Sequence, residues 1–363
     1  MTTIKEVAKR AGASVTAVSM SLNHRESGHV NKELAERIRA TAKSMGYRPN
    51  PLARSLRTSR TSTIGFLSEQ IATTPYAGAI ISGAQDAASE LGYMMLLVNT
   101  DGETNVERGI EALKRYEVDG FLCAKVYNRL TRVPESLLRR PTVLLDAIDE
   151  AGRVPCVIPD ERGIGYDATN HLIASGARRI AYIGSSKGML AERPRREGYE
   201  QALRGHGMEI DPDLEIGVAN NGPALEAVSR LFDEQRPDAF FCFNDARTWY
   251  VYECAARRGL RVGRDSSVVG VDNHRVLAET FDPKPTTVEL PHYEMGYWGA
   301  RRLISMIEEH PLDETIDPHT RAPIPPLDAP SPVRIHCTLV ENGSVIGMHC
   351  EEKGEEEGDA PIR

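Results

Sequence analysis

The sequence holds no apolar run long enough to span a bilayer, and charge appears within its first five residues, so nothing there resembles a secretion signal. The expected location is the cytoplasm, with no membrane partner. Cysteine is sparse. The six residues Cys123, Cys156, Cys242, Cys254, Cys337 and Cys350 never fall at paired short spacing. That excludes a disulfide scaffold and reads as reduced, mostly buried side chains. Cys and His spacing offers no zinc site. No G-x-G-x-x-G follows a candidate strand, and no Walker sequence occurs, so nucleotide-dependent chemistry has no foothold. No cofactor and no metal are expected. Positive charge is also short overall, at a net −8, which by itself speaks against a nucleic-acid binder.

The distribution of that charge reverses the conclusion. Residues 1–60 carry twelve Lys and Arg against four Glu, a net of +8, which leaves −16 for the remainder. A basic head on an acidic body is the asymmetry of a polyanion-binding module joined to something else. The chain has 363 residues, enough for two or three domains, with 40% hydrophobic and 26% charged residues, as in ordinary globular proteins.

Residues 1–48 read as three short helices. Thr3 and Glu6 fit a capping box, and Ile4, Val7, Ala8 and Ala11 then share one helical face. Gly12-Ala13 makes a tight turn. Ser14 caps a second helix with Val15, Val18, Ser19 and Leu22 on its inner side. Asn31 caps a third, with Leu34, Ile38, Ala42 and Met45 inward and Gly46 ending it. Two short helices joined by a Gly-containing turn are the helix-turn-helix plan, whose second helix reads the major groove. That geometry aims Val15, Thr16 and Met20 at base edges and leaves Thr3, Ser14 and the Arg/Lys set for phosphates. Residues 49–60 form a basic joint. Pro49 and Pro51 stop any incoming helix, and Asn50 can cap a short new one bearing Arg54, Arg57 and Arg60. So short a helix orders only against a partner.

After Thr61, short apolar strands alternate with amphipathic helices. The strands are Thr63–Leu67, Met94–Asn99, Gly120–Cys123, Thr142–Leu145, Ile180–Ile183, Ala239–Phe243 and Val268–Val271. The helices fall at about 76–91, 104–116, 162–175, 192–206, 223–235, 245–258 and 291–309. The alternation predicts doubly wound parallel sheets, with ligands at the carboxyl ends of strands. Asp146, Asn244, Asp245 and Asp272 cluster at such ends, and side chains of this kind suit sugar hydroxyls. A helix N-cap is the competing role for each carboxylate. Tyr76 is placed to line the cleft from the loop after the first strand, and Trp249 offers a second apolar face. Residues 311–332 are Pro-rich and read as a stiff surface loop; Val333–Val340 reads as one last strand. Residues 341–363 read as an acidic, disordered tail.

Thr3-Ile4-Lys5-Glu6-Val7-Ala8, Ala11-Gly12, Val18-Ser19, Leu22-Asn23 and Gly46-Tyr47-Arg48-Pro49-Asn50 through Ala53-Arg54-Ser55-Leu56 closely resemble the lac-repressor (LacI/GalR) family of bacterial transcription regulators. The resemblance continues through Asn99-Thr100-Asp101, Val118-Asp119-Gly120, Arg179 to Gly184, Asn244-Asp245 and Val269-Gly270-Val271-Asp272. It implies a repressor, not an enzyme, that binds a pseudo-palindromic operator as a homodimer under control of a small molecule. The hinge helix then pairs with its twin in the minor groove, with Leu56 as the apolar wedge. The expected DNA contacts are Thr3, Ser14, Val15, Thr16, Ser19, Met20 and Asn23, with Asn50, Leu52, Ala53, Arg54 and Leu56 of the hinge. Met20 departs from the basic or hydrogen-bonding residue common there, which puts thymine methyls among the targets.

For residues 61–340 the resemblance implies a core of two periplasmic-binding-protein-like subdomains. One spans about 61–175 and 290–320, the other 176–289 and 321–340, with chain crossings near 175, 289 and 320. Arg195 stands at the position of the family's effector-binding arginine, so Tyr76, Asp146, Arg195, Asn244, Asp245 and Asp272 are the expected effector set. A saccharide is the first expectation for the effector, and a nucleoside or nucleobase the alternative. One rival remains in the residues themselves. Gly184-Ser185-Ser186-Lys187-Gly188 matches G-x-S-x-G, which would make Ser186 a hydrolase nucleophile with His274 or His292.

Overall fold

The computed structural model describes residues 2–22, 30–47, 60–74, 77–100, 105–219, 222–312 and 319–347. The chain divides into two compact units, Met1–Ser62 and Thr63–Arg363.

The head is built as its caps require. Helix α1 (Ile4–Ala11) opens on the reciprocal box: the Thr3 N–H donates to Glu6 Oε2 at 2.7 Å, and the Glu6 N–H donates to Thr3 Oγ1 at 3.3 Å. Such a cap stabilises a helix by about 1 kcal/mol. Gly12, at φ +62°, ends it in the left-handed conformation. Helix α2 (Val15–Leu22) begins at Ser14, whose Oγ accepts from the Ala17 N–H at 3.1 Å. Helix α3 (Lys32–Ser44) begins at Asn31, which accepts from the Leu34 N–H at 2.7 Å. Val7, Ala8, Ala11, Val18, Ala35, Ile38 and Ala42 close the core. Arg37 and Arg39 are structural: each donates its Nε to a carbonyl of another helix, Ala11 at 3.2 Å and Ser21 at 3.0 Å. Val15 departs from its expected inner place. It is 38% exposed, because the core is already filled by Val18 one turn on.

The core unit holds two six-stranded sheets. In the first the order is β11-β5-β4-β3-β1-β2, all parallel, with β1 Thr63–Glu69, β2 Met94–Thr100, β3 Gly120–Thr131, β4 Thr142–Asp149, β5 Cys156–Pro159 and β11 Val333–Ile335. In the second it is β12-β10-β9-β8-β6-β7, with β6 Ile180–Ser185, β7 Glu215–Val218, β8 Ala239–Cys242, β9 Ser267–Val271, β10 Thr286–Glu289 and β12 Thr338–Val340; only β12 runs antiparallel. Both sheets reverse direction at their first strand, β1 and β6, and such switch points are where ligands bind.

Helices cover both sheets: α4 Gly78–Glu90, α5 Val106–Arg115, α6 Glu161–Ala174, α7 Glu192–Gly205, α8 Gly222–Gln235, α9 Asp245–Arg257, the short α10 Arg275–Ala278, and α11 His292–Glu308. Two pairs interlock on glycine. A Cβ on Gly83 would stand 2.0 Å from the Tyr293 carbonyl oxygen, and one on Gly165 would stand 1.9 Å from that of Arg195. So α4 meets α11, and α6 meets α7, nearly backbone to backbone.

The crossings between sheets differ from the expected ones in two of three places. Helix α6 puts Ile164, Ala168 and Leu172 into the core of the second sheet, so the first crossing lies at about residue 160, directly after β5, and not near 175. The second lies between β10 and α11, close to 289 as expected. The third falls between β11 and β12, near 336 and not 320, because Val333–Val340 is two strands in two sheets. The Pro-rich stretch packs on the first sheet: Ala322 is buried, and the Pro326 carbonyl accepts from Trp298 at 3.3 Å. The expected tail begins later than 341. Ser344 and Val345 are buried, and Ser344 Oγ donates to the Val268 carbonyl at 2.6 Å. Among the described residues no helix is long and apolar enough to cross a membrane.

Candidate functional site

Helix α2 carries no charged residue. Val15 and Thr16 are exposed on it, Ser19 and Met20 are half-buried, and Thr3 and Ser14 are exposed nearby in sequence. Its outward face is therefore small, apolar and hydroxylated, as suits contact with thymine methyls. Asn23, Asn50, Leu52, Ala53, Arg54, Leu56 and Tyr76 lie outside the described residues.

In the core, Arg195 is the centre of a buried ionic cluster. It sits in the first turn of α7, only 3% exposed. Its Nε donates to Glu161 Oε2 at 2.6 Å, its Nη1 to the Phe243 carbonyl, and its guanidinium lies 4.4 Å from the Phe243 ring centroid. Burial opposes its charge, but Glu161 and then Asp272 outweigh burial and hold it ionised. Glu161 is the first residue of α6, placed there by the Asp160 cap, which accepts from the Gly163 N–H at 3.2 Å.

The expected carboxylates converge on this pair with different duties. Asp146 ends the regular part of β4 at φ +52° and accepts from the Asn128 N–H at 3.1 Å. Burial and then Glu161 push its carboxyl well above the usual range. Asp272 follows β9 at φ +109°; burial and then Asp245 raise it, against the pull of Arg195. Asp245 is fully buried and already satisfied. It accepts from Thr287 Oγ1 at 2.7 Å and from the His274 N–H at 2.7 Å, and burial lifts it to about 6. That makes it a tie between α9, β10 and the loop after β9, neither an open ligand contact nor a helix cap. Asn244 occupies the N-cap position of α9 without capping it; its side-chain oxygen accepts from Arg247 Nη1 at 2.8 Å. Arg247, fully buried, also donates to the carbonyls of Gly184 and Val218, both at 3.0 Å.

Two cavities adjoin the cluster. One of about 640 Å³ is lined by Asn128, Ile148, Pro159, Glu161, Met189 and Glu192 among others, so it lies between the strand ends of the first sheet and the starts of α6 and α7. Asp272 lines another, of about 480 Å³, with Leu290 and Tyr293. Both volumes suit a small organic ligand. Arg195 and Asp146 back the larger cavity without lining it, through Glu161 and Asn128; Asp245 does not line it, and Glu161 and Glu192 form its surface. Glu192 accepts from the Ser185 N–H at 2.6 Å, and burial raises its carboxyl. Glu161, Glu192, Asn128 and Arg247 are absent from the expected set. The acids Asp160-Glu161 directly follow the short apolar run Cys156–Pro159, and that juxtaposition is the signal a sequence reading can use. Trp249 is 42% exposed and lines neither cavity. Ser185, next to the candidate nucleophile, has its Oγ accepting from the Lys187 N–H within the turn.

Residues 3–50 match the family described as bacterial regulatory proteins, lacI family, and residues 61–325 the periplasmic binding proteins and sugar binding domain of LacI family. The HTH-type transcriptional regulator RegA of Clostridium saccharobutylicum is 34% identical over 321 residues, 86% of this chain and 95% of its own length. The ribose operon repressor of Escherichia coli K12 is 32% identical over 86% of this chain and 96% of its own. The solved transcriptional regulator CelR–cellobiose complex superposes with a TM-score of 0.58 at 27% identity, covering 95% of this chain and all of that one. The chain thus belongs to the lacI family of bacterial regulatory proteins: it is a DNA-binding transcription regulator and not an enzyme.

Proposed function

We propose that the chain is a repressor that binds a pseudo-palindromic operator in the cytoplasm as a homodimer and is controlled by a saccharide in the cavity beside Arg195. The observation that carries the effector assignment is a cavity of ligand size with Glu161 in its wall, Arg195 bound to Glu161 behind it, and Asp146 bound behind Asn128 of the same wall. Hydroxyl groups satisfy such acceptors by donating. No aromatic side chain stands among the described residues of the larger cavity, so none of these offers a ring to stack on a base. That favours a saccharide over a nucleoside or nucleobase. The names of the ribose operon repressor and the cellobiose complex agree with that class.

Control follows from linkage. A ligand between the two sheets favours one relative placement of them, and it shifts operator affinity only by its differential affinity for the two placements. A coupling of roughly 1–3 kcal/mol, about 5- to 150-fold in affinity, is the usual range. The test is footprinting of candidate operators with and without saccharides. A symmetric protected patch that changes with one saccharide is expected. Arg195→Ala should keep operator binding and lose that change; a normal response in this variant refutes the assignment.

A further inference from the structure

We propose that Glu161 sets the charge class of the effector: by filling Arg195 with its own carboxylate, it reserves the cavity for uncharged polyhydroxyl ligands and shuts out sugar acids and sugar phosphates. The inference rests on the saccharide reading above and narrows it.

An arginine in a binding cavity is ordinarily an anion receptor, because its fork matches carboxylate and phosphate oxygens. Here two of the fork's three nitrogens are engaged from inside. Nε is bound to Glu161 at 2.6 Å, Nη1 to the Phe243 carbonyl, and one face to the Phe243 ring. Glu161 and Arg195 are 5% and 3% exposed, so water does not screen the pair. The second buried cation, Arg247, spends its nitrogens on the Gly184 and Val218 carbonyls and on Asn244. Around these two arginines stand five carboxyl groups, on Asp146, Glu161, Glu192, Asp245 and Asp272. Burial raises the carboxyls of Asp146, Glu192, Asp245 and Asp272, and a neighbouring carboxylate adds to it only at Asp146, from Glu161, and at Asp272, from Asp245. Neither arginine is thus left as a bare counter-charge for an incoming anion.

The walls ask for donors. Oε1 of Glu161 has no hydrogen-bond partner among the described residues, and the buried side-chain oxygen of Asn128, in the same cavity, has none either. A hydroxyl supplies what these oxygens lack, and an ionised phosphate does not. At the mouth, Arg162 and Arg193 are both paired with Glu197, and Arg334 is exposed, where solvent screens it. No lining cation is therefore both buried and open to an anion.

The experiment is a thermal-shift titration of the full chain with matched pairs: glucose and glucuronate, galactose and galacturonate, ribose and ribose 5-phosphate. Wild type is expected to respond to a neutral member and not to its anionic counterpart. Glu161→Gln, which frees the guanidinium, is expected to gain at least tenfold in affinity for one of the anions. Glu161→Ser serves if the Gln variant fails to fold, and Glu161→Asp should keep the exclusion. The proposal is overturned if wild type binds an anion as well as its neutral partner, or if neither uncharged variant gains one. If both uncharged variants are unfolded, the wild-type preference within each pair decides. Should no saccharide shift wild type, the effector reading fails on its own, and the anion gain of Glu161→Gln still decides this one.

Discussion

Replacing Gly165 by alanine should uncouple effector sensing from DNA binding. The added Cβ would sit 1.9 Å from the Arg195 carbonyl oxygen, a backbone atom inside a helix. Real Cβ atoms do not approach closer than 3.0 Å, so α7 must retreat from α6 by more than about 1 Å. Overpacking of this kind costs about 1–3 kcal/mol. For a unit of this size that lowers the melting temperature by roughly 2–5 °C. The retreat also carries Arg195 away from Glu161, whose carboxylate its Nε now meets at 2.6 Å. A displacement of about 1 Å in a positioned group is enough for a large loss of function, on the order of 100-fold where catalysis has been measured. Gly83→Ala is the control. It makes an equivalent clash, 2.0 Å from the Tyr293 carbonyl oxygen, in the α4–α11 pair, which lines none of the larger cavity. Both variants should melt earlier, and only Gly165→Ala should lose its response, by at least tenfold, to a saccharide that shifts wild type. Melting curves and operator binding by fluorescence anisotropy read both quantities. A Gly165→Ala protein with wild-type melting and wild-type response refutes the reasoning, as does an equal loss of response in Gly83→Ala.

Two other outcomes follow from the site and the hinge. Asp245 titrates near 6 in the folded chain against 3.8 when free, so the folded state holds the extra proton between those values. Its contribution to stability is therefore present at low pH and lost as pH rises through about 6. The unfolding free-energy gap between wild type and Asp245→Asn should move in favour of wild type as pH falls from 7 to 4, by on the order of 3 kcal/mol; a gap independent of pH contradicts this. Leu56→Ala, at the expected minor-groove wedge, should weaken operator binding far more than binding to random DNA. Equal losses on both would remove the wedge role.

Local rules made much of the architecture legible. The seven expected strands and seven expected helices all occur, with ends displaced by up to about four residues except at β3, which runs on from Cys123 to Thr131, because each is a periodic apolar run bounded by caps, Gly or Pro. The three caps of the head, Thr3, Ser14 and Asn31, act as their residue types require. Five short strands were harder. Cys156–Pro159, Glu215–Val218 and Thr286–Glu289 have only four residues each, too few for a period, and Val333–Val340 hides a change of sheet within one apolar run. The first and third crossings were misplaced for the same reason. Which sheet a helix covers is decided by where its apolar face docks, and nothing within residues 161–174 states that.

What the sequence alone determined is local and compositional: a basic three-helix head, an acidic α/β core, and polar residues at strand ends. Hydrogen bonds between near neighbours and the alternation of apolar residues suffice for that. Only the tertiary structure decided how those polar residues divide their duties. Asp245 is consumed by Thr287 and His274, and Arg195 by Glu161, each a partner brought from another element. Burial makes those long-range pairings obligatory, since a charge taken from water must find a partner wherever the fold brings one.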